Sequence, residues 1–196
     1  MKGLRLDPEA VLAFWFQRGD ATGTLIPLKQ WFSKDPLFDQ SVRDRFGPFL
    51  EEMLLEGRPI PCDSPRQCLA SIVLLDQFTR NAYRDTPKAF AGDALARTVA
   101  NTLVSSGGDA ALEPLERVFV YLPFEHSESL ADQDRAVSLF SALSRHGDDF
   151  AGYLDYARRH REVILRFGRF PHRNEILGRI STPEELAYLA QPGSGF

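Results

Sequence analysis

The sequence predicts an all-α fold, and three observations carry that prediction. Proline repeatedly follows a residue that starts a helix, as in Asp7-Pro8, Ser64-Pro65, Thr86-Pro87, Glu113-Pro114 and Thr182-Pro183, where its fixed φ and missing N–H do no harm. Apolar residues then recur three and four positions apart, the spacing of one helix face. Runs of strand-like composition, such as "RVFVYL", stand isolated between helix starts, and a lone strand has no partner for its backbone. About eight to ten helices in antiparallel hairpins are expected, joined by short loops.

Taken in order, Asp7-Pro8-Glu9 reads as cap, first-turn proline and first-turn acid, with Gly19 closing the helix. "GDATGTLIP" reads as a loop. A long segment from Pro36 to Glu56 carries Phe38, Val42, Phe46, Phe49, Leu50 and Met53 as its apolar positions, and Pro48 is expected to kink or split it. "GRPIPCDSP" is a proline-rich loop. Ser64-Pro65 starts a helix so apolar that it must be buried on most sides. Thr86-Pro87 starts an alanine-rich helix, and Glu113-Pro114 starts one that Pro123 should disturb. Ser129 and Asp132 are spaced as a capping box, with aspartate in the glutamate position. From Phe150 to Phe167, the residues Tyr153, Ala157, His160, Ile164 and Phe167 share one face. A short helix is expected from Pro171 to Gly178, and a final one from Thr182-Pro183, where Thr182 and Glu185 hold capping-box register. No 34-residue repeat is found.

The 196 residues suit one helical domain over 1–190 with a loose tail at 191–196. Twenty-three basic and 27 acidic residues give a formal charge of −4, so the whole molecule attracts neither nucleic acid nor anionic membrane. Only Lys2, Lys29, Lys34 and Lys88 are lysines; the other basic residues are arginines, with planar donors that are always charged. Cys62 and Cys68 make no disulfide framework and no zinc-type pair, and Cys68 reads as a small buried hydrophobe. "MKGLRLDPEA" contains no signal core, and the apolar runs are too short for a bilayer, which makes the cytoplasm the expected location.

Three polar patches interrupt apolar helices. In "LDQFTRN", Asp76 and Arg80 share a face four residues apart, and Asn81 joins Gln77 on the adjoining one. In "LPFEHSESLADQ", Glu125, His126 and Glu128 lie where one helix breaks and the next begins, so a carboxylate can orient an imidazole there. In "ILRFGRFPHRNEILGR", Arg166, Arg169, His172, Arg173 and Asn174 crowd among phenylalanines. A helix beginning at Pro171 would put His172 and Arg173 in its first turn, where cations are disfavoured unless an anion is near.

The segments "WF", "LDQFTRN", "AFAGDALA", "RVFVYLPFEHSESLADQ" and "RFGRFPHRNEILGR" together resemble a bacterial family catalogued as domain of unknown function 924. The resemblance covers nearly the whole chain. It implies a single helical domain, a tetratricopeptide-like right-handed superhelix around a groove, and no established activity. Members often carry proline at the position of Thr79.

With the patches gathered in one groove, Arg80, Arg166, Arg169 and Arg173 would face Asp76, Glu125 and Glu128, leaving a surplus of donors. The expected function is binding of an anionic small molecule or an acidic or carboxylate-ended peptide, with Asp76, Arg80, Asn81, Arg166, Arg169, Arg173 and Asn174 as binding residues. Two alternatives stand beside it. One is a metal-independent hydrolase using His126 or His172 with Glu125 or Glu128. The other is a structural salt-bridge network. No cofactor is expected. No HExxH or paired ExxH motif is present, so no metal site is expected, and His146 and His160 are not read as ligands. Trp15, Trp31 and Phe32 are read as core. Nucleic acid and membrane are not expected as partners. The oligomeric state is left open.

Overall fold

The computed structural model describes residues 6–19, 23–57 and 61–195. Among them nine α-helices and one two-residue strand pair make an all-α protein. The chain forms two compact units. The first comprises Met1–Arg84 and Lys88–Pro123, the second Asp85–Pro87 and Phe124–Phe196.

Helix α1 (Pro8–Trp15) starts as expected, with the Asp7 carboxylate accepting from the Glu9 N–H at 3.0 Å. It ends four residues before Gly19. The reason is that Phe16 turns to an extended conformation, and Gln17–Arg18 (β1) then pairs antiparallel with Leu25–Ile26 (β2), Gln17 opposite Ile26. Helix α2 (Pro36–Glu56) is capped by Asp35, whose carboxylate accepts from the Leu37 and Phe38 N–H groups. Pro48 does not split it. Loss of one donor is tolerated where Val42, Phe46, Leu50 and Met53 bury a continuous stripe.

Helix α3 (Pro65–Ile72) is capped by Ser64, and its line continues through a π-helical segment, Val73–Phe78, into α4 (Thr79–Ala82). The π turn was not legible in the sequence. At its end the Thr79 N–H reaches back to Leu74 O, so the next two carbonyls find side-chain donors. Thr79 Oγ1 donates to Leu75 O at 2.7 Å, and Arg80 Nη1 to Asp76 O at 2.6 Å. Extra-residue turns of this kind shift carbonyls out of the regular ladder. Gly92, just before α5 (Asp93–Ser105), packs directly against this turn. Helix α6 (Pro114–Glu125) contains the strand-like "RVFVYL" run, whose Val118–Leu122 stretch is buried throughout; the boundary between units falls at Pro123.

The first unit's core is a web of rings: Phe14, Trp15, Trp31, Phe46, Phe78 and Phe119 lie with neighbouring centroids about 4.7–5.6 Å apart, mostly edge to face. Trp31 Nε1 donates to Trp15 O at 2.9 Å. Trp15 and Trp31 are therefore core, as expected, whereas Phe32 is 60% exposed.

In the second unit α7 (Leu130–Leu143) packs along α8 (Ala151–Phe167). The box expected from Ser129 and Asp132 does not form. Ser127 takes over: its hydroxyl donates to Asp132 Oδ2 at 2.7 Å and accepts from the Ser129 N–H at 3.2 Å. Helix α8 buries Ala157, His160, Val163 and Ile164, and Gly168 ends it at φ 68°. The helix expected from Pro171 is only a 3₁₀ turn, Pro171–Arg173, followed by turns to Gly178. It offers no helix dipole for His172 and Arg173. Helix α9 (Pro183–Leu189) carries the Thr182–Glu185 capping box, both bonds present. Within the tail, Ser194 Oγ donates to Leu189 O; Phe196 lies outside the described residues.

A Cβ on Gly92 would stand 2.1 Å from Leu75 O and 2.9 Å from Leu75 C, both backbone atoms. Gly92→Ala should therefore lower stability by on the order of 3 kcal/mol in urea unfolding. Gly152→Ala, on an exposed helical site with nothing within 4 Å, should raise it by about 0.5–1 kcal/mol.

Candidate functional site

The expected site residues fall into separate networks. Asp76, Arg80 and Asn81 belong to the first unit. Asp76 is fully buried; it accepts from Gln77 Nε2 at 2.6 Å and stands 3.2 Å from Arg80 Nη1. Arg80 also grips Asp93 with two nitrogens, at 2.8 and 3.1 Å. Asn81 Nδ2 donates to Asp39 Oδ1, whose carboxylate also holds Arg84 by two bonds. The Arg80–Asp93 and Asn81–Asp39 contacts tie α4 to α5 and to α2 inside the first unit.

The remaining residues lie in the second unit. Arg166 is half exposed and bonds to Glu184. Arg169 forms a two-pronged pair with Glu185 at 2.6 and 2.8 Å and adds Ile180 O. Asn174 Nδ2 reaches Ser181 Oγ at 3.0 Å and Glu185 at 3.3 Å. Glu128 holds the Phe170 N–H at 2.8 Å and both terminal nitrogens of Arg179 at 2.7 and 2.9 Å. Arg179 completes its fork with Asn174 Oδ1 and Phe170 O.

Around Phe170 the aromatic and cationic groups converge. The His160 ring meets it edge-on at 5.5 Å, His172 lies 5.5 Å away, and the Arg173 guanidinium stands 4.5 Å over its face. His126 lies 6.5 Å from His160. The structure thus brings together Glu125, His126, Glu128, His172, Arg173 and Asn174, all from the junction before α7 and the stretch after α8. It keeps Arg166 on the exposed flank.

Two members were not predicted. Arg179 sits in the quoted stretch, but nothing local marked it; its partner Glu128 is 51 residues away. His160 is a core histidine, as its place on the α8 stripe predicts, and is 5% exposed. It also belongs to the cluster: Nδ1 lies 2.9 Å from Tyr156 O and 3.1 Å from Glu125 Oε1. A carbonyl only accepts, so the neutral ring carries its proton on Nδ1 and donates it there.

The electrostatics follow from burial. Desolvation pushes His160 down to about 3, helped by His126, His172 and Arg173, while the Tyr156 carbonyl opposes it. Desolvation, with Arg173 next, pushes His172 down to about 4. Both are neutral at pH 7. Burial works to raise Glu128, but hydrogen bonds from Arg179 and Phe170 and the charge of Arg173 outweigh it and hold it below the usual range. Glu185 falls to about 2, chiefly through Arg169. An imidazole as hard to protonate as His160 is a poor general base, whatever carboxylate orients it. Among the described residues no group of three or more His, Cys, Asp or Glu is placed to hold a metal ion, and no helix is long and apolar enough to cross a membrane.

The fold defines an all-helical protein, and its polar side chains gather in a histidine–arginine cluster after α8. The chain belongs to the family described as bacterial protein of unknown function (DUF924), whose model matches residues 11–193. It is similar to a solved structure of a protein of unknown function from Agrobacterium tumefaciens, at 38% identity and a TM-score of 0.77, covering 93% of this chain and 96% of that one. No curated protein matches.

The two depressed imidazoles fix a direction of pH dependence. Above pH 6.5 each is neutral folded or unfolded, and its full contribution is present. Between 6.5 and about 4 the unfolded chain takes up protons that His172 and His160 in the folded chain do not, and for His160 the window extends to about 3. Stability should fall through this range as pH falls, by up to about 1.4 kcal/mol per pH unit for each histidine. Urea unfolding at stepped pH tests this, and His160→Asn should flatten the slope between pH 6 and pH 4 by about one proton.

Proposed function

We propose that the protein is a binding module for a small anion, or for the carboxylate end of an acidic peptide, held at the second unit's histidine–arginine cluster. One observation carries the reading: His126, His172 and the Arg173 guanidinium gather around the His160–Phe170 pair, beside a Glu128 carboxylate that already accepts three donors. Two guanidinium groups, Arg173 and Arg179, and three imidazoles gather there with the Glu125 and Glu128 carboxylates, and Arg173 is buried at 7% exposure. A carboxylate or phosphate is the natural complement of such donors. His126 and His172 are the half-buried members that a ligand would meet first.

A second reading is favoured by the two-pronged Arg179–Glu128 and Arg169–Glu185 pairs: the cluster fastens the stretch after α8 and binds nothing. Calorimetry with phosphate, citrate and an acidic carboxylate-ended peptide separates the two. Under the binding reading at least one gives heat with a Kd of about 1 mM or tighter. His172→Ala then weakens it by about tenfold or more, while Arg166→Ala changes it little. No heat with any of the three, together with an unaltered thermal transition, would leave the fastener as the role.

A further inference from the structure

The first unit carries a cavity of about 270 Å³ remote in sequence from the histidine–arginine cluster. Its floor is apolar: Leu12 and Phe16 from α1 and its end, and Leu25 from β2, are all buried. Phe16 is a fixed wall, held edge-on by Trp31 at 5.8 Å and Phe119 at 5.3 Å. Its polar side is lined by Arg18, Arg66, Glu9 and Glu116.

These four charges, two of each sign, are already engaged. Arg66 bonds to Glu9 through Nε and Nη2 at 2.7 and 2.6 Å, and to Glu116 through Nη1 at 3.0 Å. Arg18 bonds to Gly23 O and to Glu113, both at 2.7 Å. Glu116 is buried and also accepts from the Glu113 N–H at 3.0 Å. A guanidinium offers five N–H donors. Among the described residues, three of Arg66's and two of Arg18's are taken. Each carboxylate oxygen can accept a second bond.

Charge complementarity selects the occupant. An anion would be attracted by Arg18 and Arg66 but repelled by Glu9 and Glu116, and a cation would meet the reverse. A ligand carrying both signs a few ångströms apart matches both, and an apolar group joined to it covers the floor. The volume lies just below the range of drug-sized pockets. We propose that this cavity binds a small apolar α-amino acid as its zwitterion, the carboxylate against Arg18 and Arg66, the ammonium against Glu9 and Glu116, and the side chain on Leu12, Phe16 and Leu25.

The test uses the full chain with four probes: L-leucine, L-phenylalanine, N-acetyl-L-leucine and L-leucinamide. At saturation, leucine or phenylalanine raises Tm by about 3 °C or more. The acetylated and amidated forms, each lacking one charge, bind at least about tenfold more weakly. Ala13→Phe serves as a second variant, because Ala13 lines the cavity yet is exposed. It keeps the fold by circular dichroism and abolishes the leucine response, and Glu9→Gln weakens leucine without weakening N-acetyl-leucine. The proposal is overturned if neither zwitterion gives heat or a thermal shift up to about 10 mM, if N-acetyl-leucine binds as well as leucine, or if Ala13→Phe leaves leucine binding unchanged.

Discussion

Between Gly168 and Thr182 the chain makes one 3₁₀ turn and little else that is regular, so much of its backbone must find partners outside a helical ladder. Buried peptide groups tolerate no other arrangement. Glu128 answers with its bond to the Phe170 N–H, and Arg179 with its bond to Phe170 O. Because these two side chains also pair with each other, the N–H and C=O of Phe170 are both held in a closed ring of charge-assisted bonds. The same logic recurs one step on. Glu185 caps α9 through Thr182, grips Arg169, and accepts from Asn174. Arginines and phenylalanines can crowd here because the rings fill the interior while the guanidinium forks replace a missing helix.

The first unit solves a similar problem at its π turn. An extra residue displaces the carbonyls of Leu75 and Asp76, and Thr79 and Arg80 supply donors from the following turn. Arg80 is then oriented for Asp93 at the start of α5, while Gly92 lets α5 approach the displaced Leu75 carbonyl. A polar device inside a very apolar helix thereby sets how closely two helices pack.

Much of the fold was legible because its signals are local. Asp7, Ser64 and Thr182 cap the helices they were expected to cap, and Pro8, Pro36, Pro65, Pro114 and Pro183 occupy first turns. Gly168 ends α8 where its spacing ran out. Failures share one cause. Ser127 displaced Ser129 as the partner of Asp132, and the Pro171 segment gained only a turn, because tertiary contacts outbid short-range preference. In the site, the identity of the polar residues was readable and their pairing was not. Arg166, Arg169 and Arg80 find Glu184, Glu185 and Asp93, and no spacing in the sequence marks these as partners. Spacing along a helix reveals i,i+4 neighbours such as Asp76 and Arg80; it says nothing of Glu128 and Arg179.

None of the four lysines falls within the second unit. Among the described residues the pairs of Arg161, Arg166, Arg169 and Arg179 fasten it through guanidinium groups, and the four-armed grip of Arg179 needs a planar fork that an ammonium cannot copy. Acylating enzymes and amine-reactive labels, which act on primary amines, therefore have no side-chain handle on these joints. A protease that cleaves after arginine does, and partial tryptic digestion would read out directly how tightly each joint is shut.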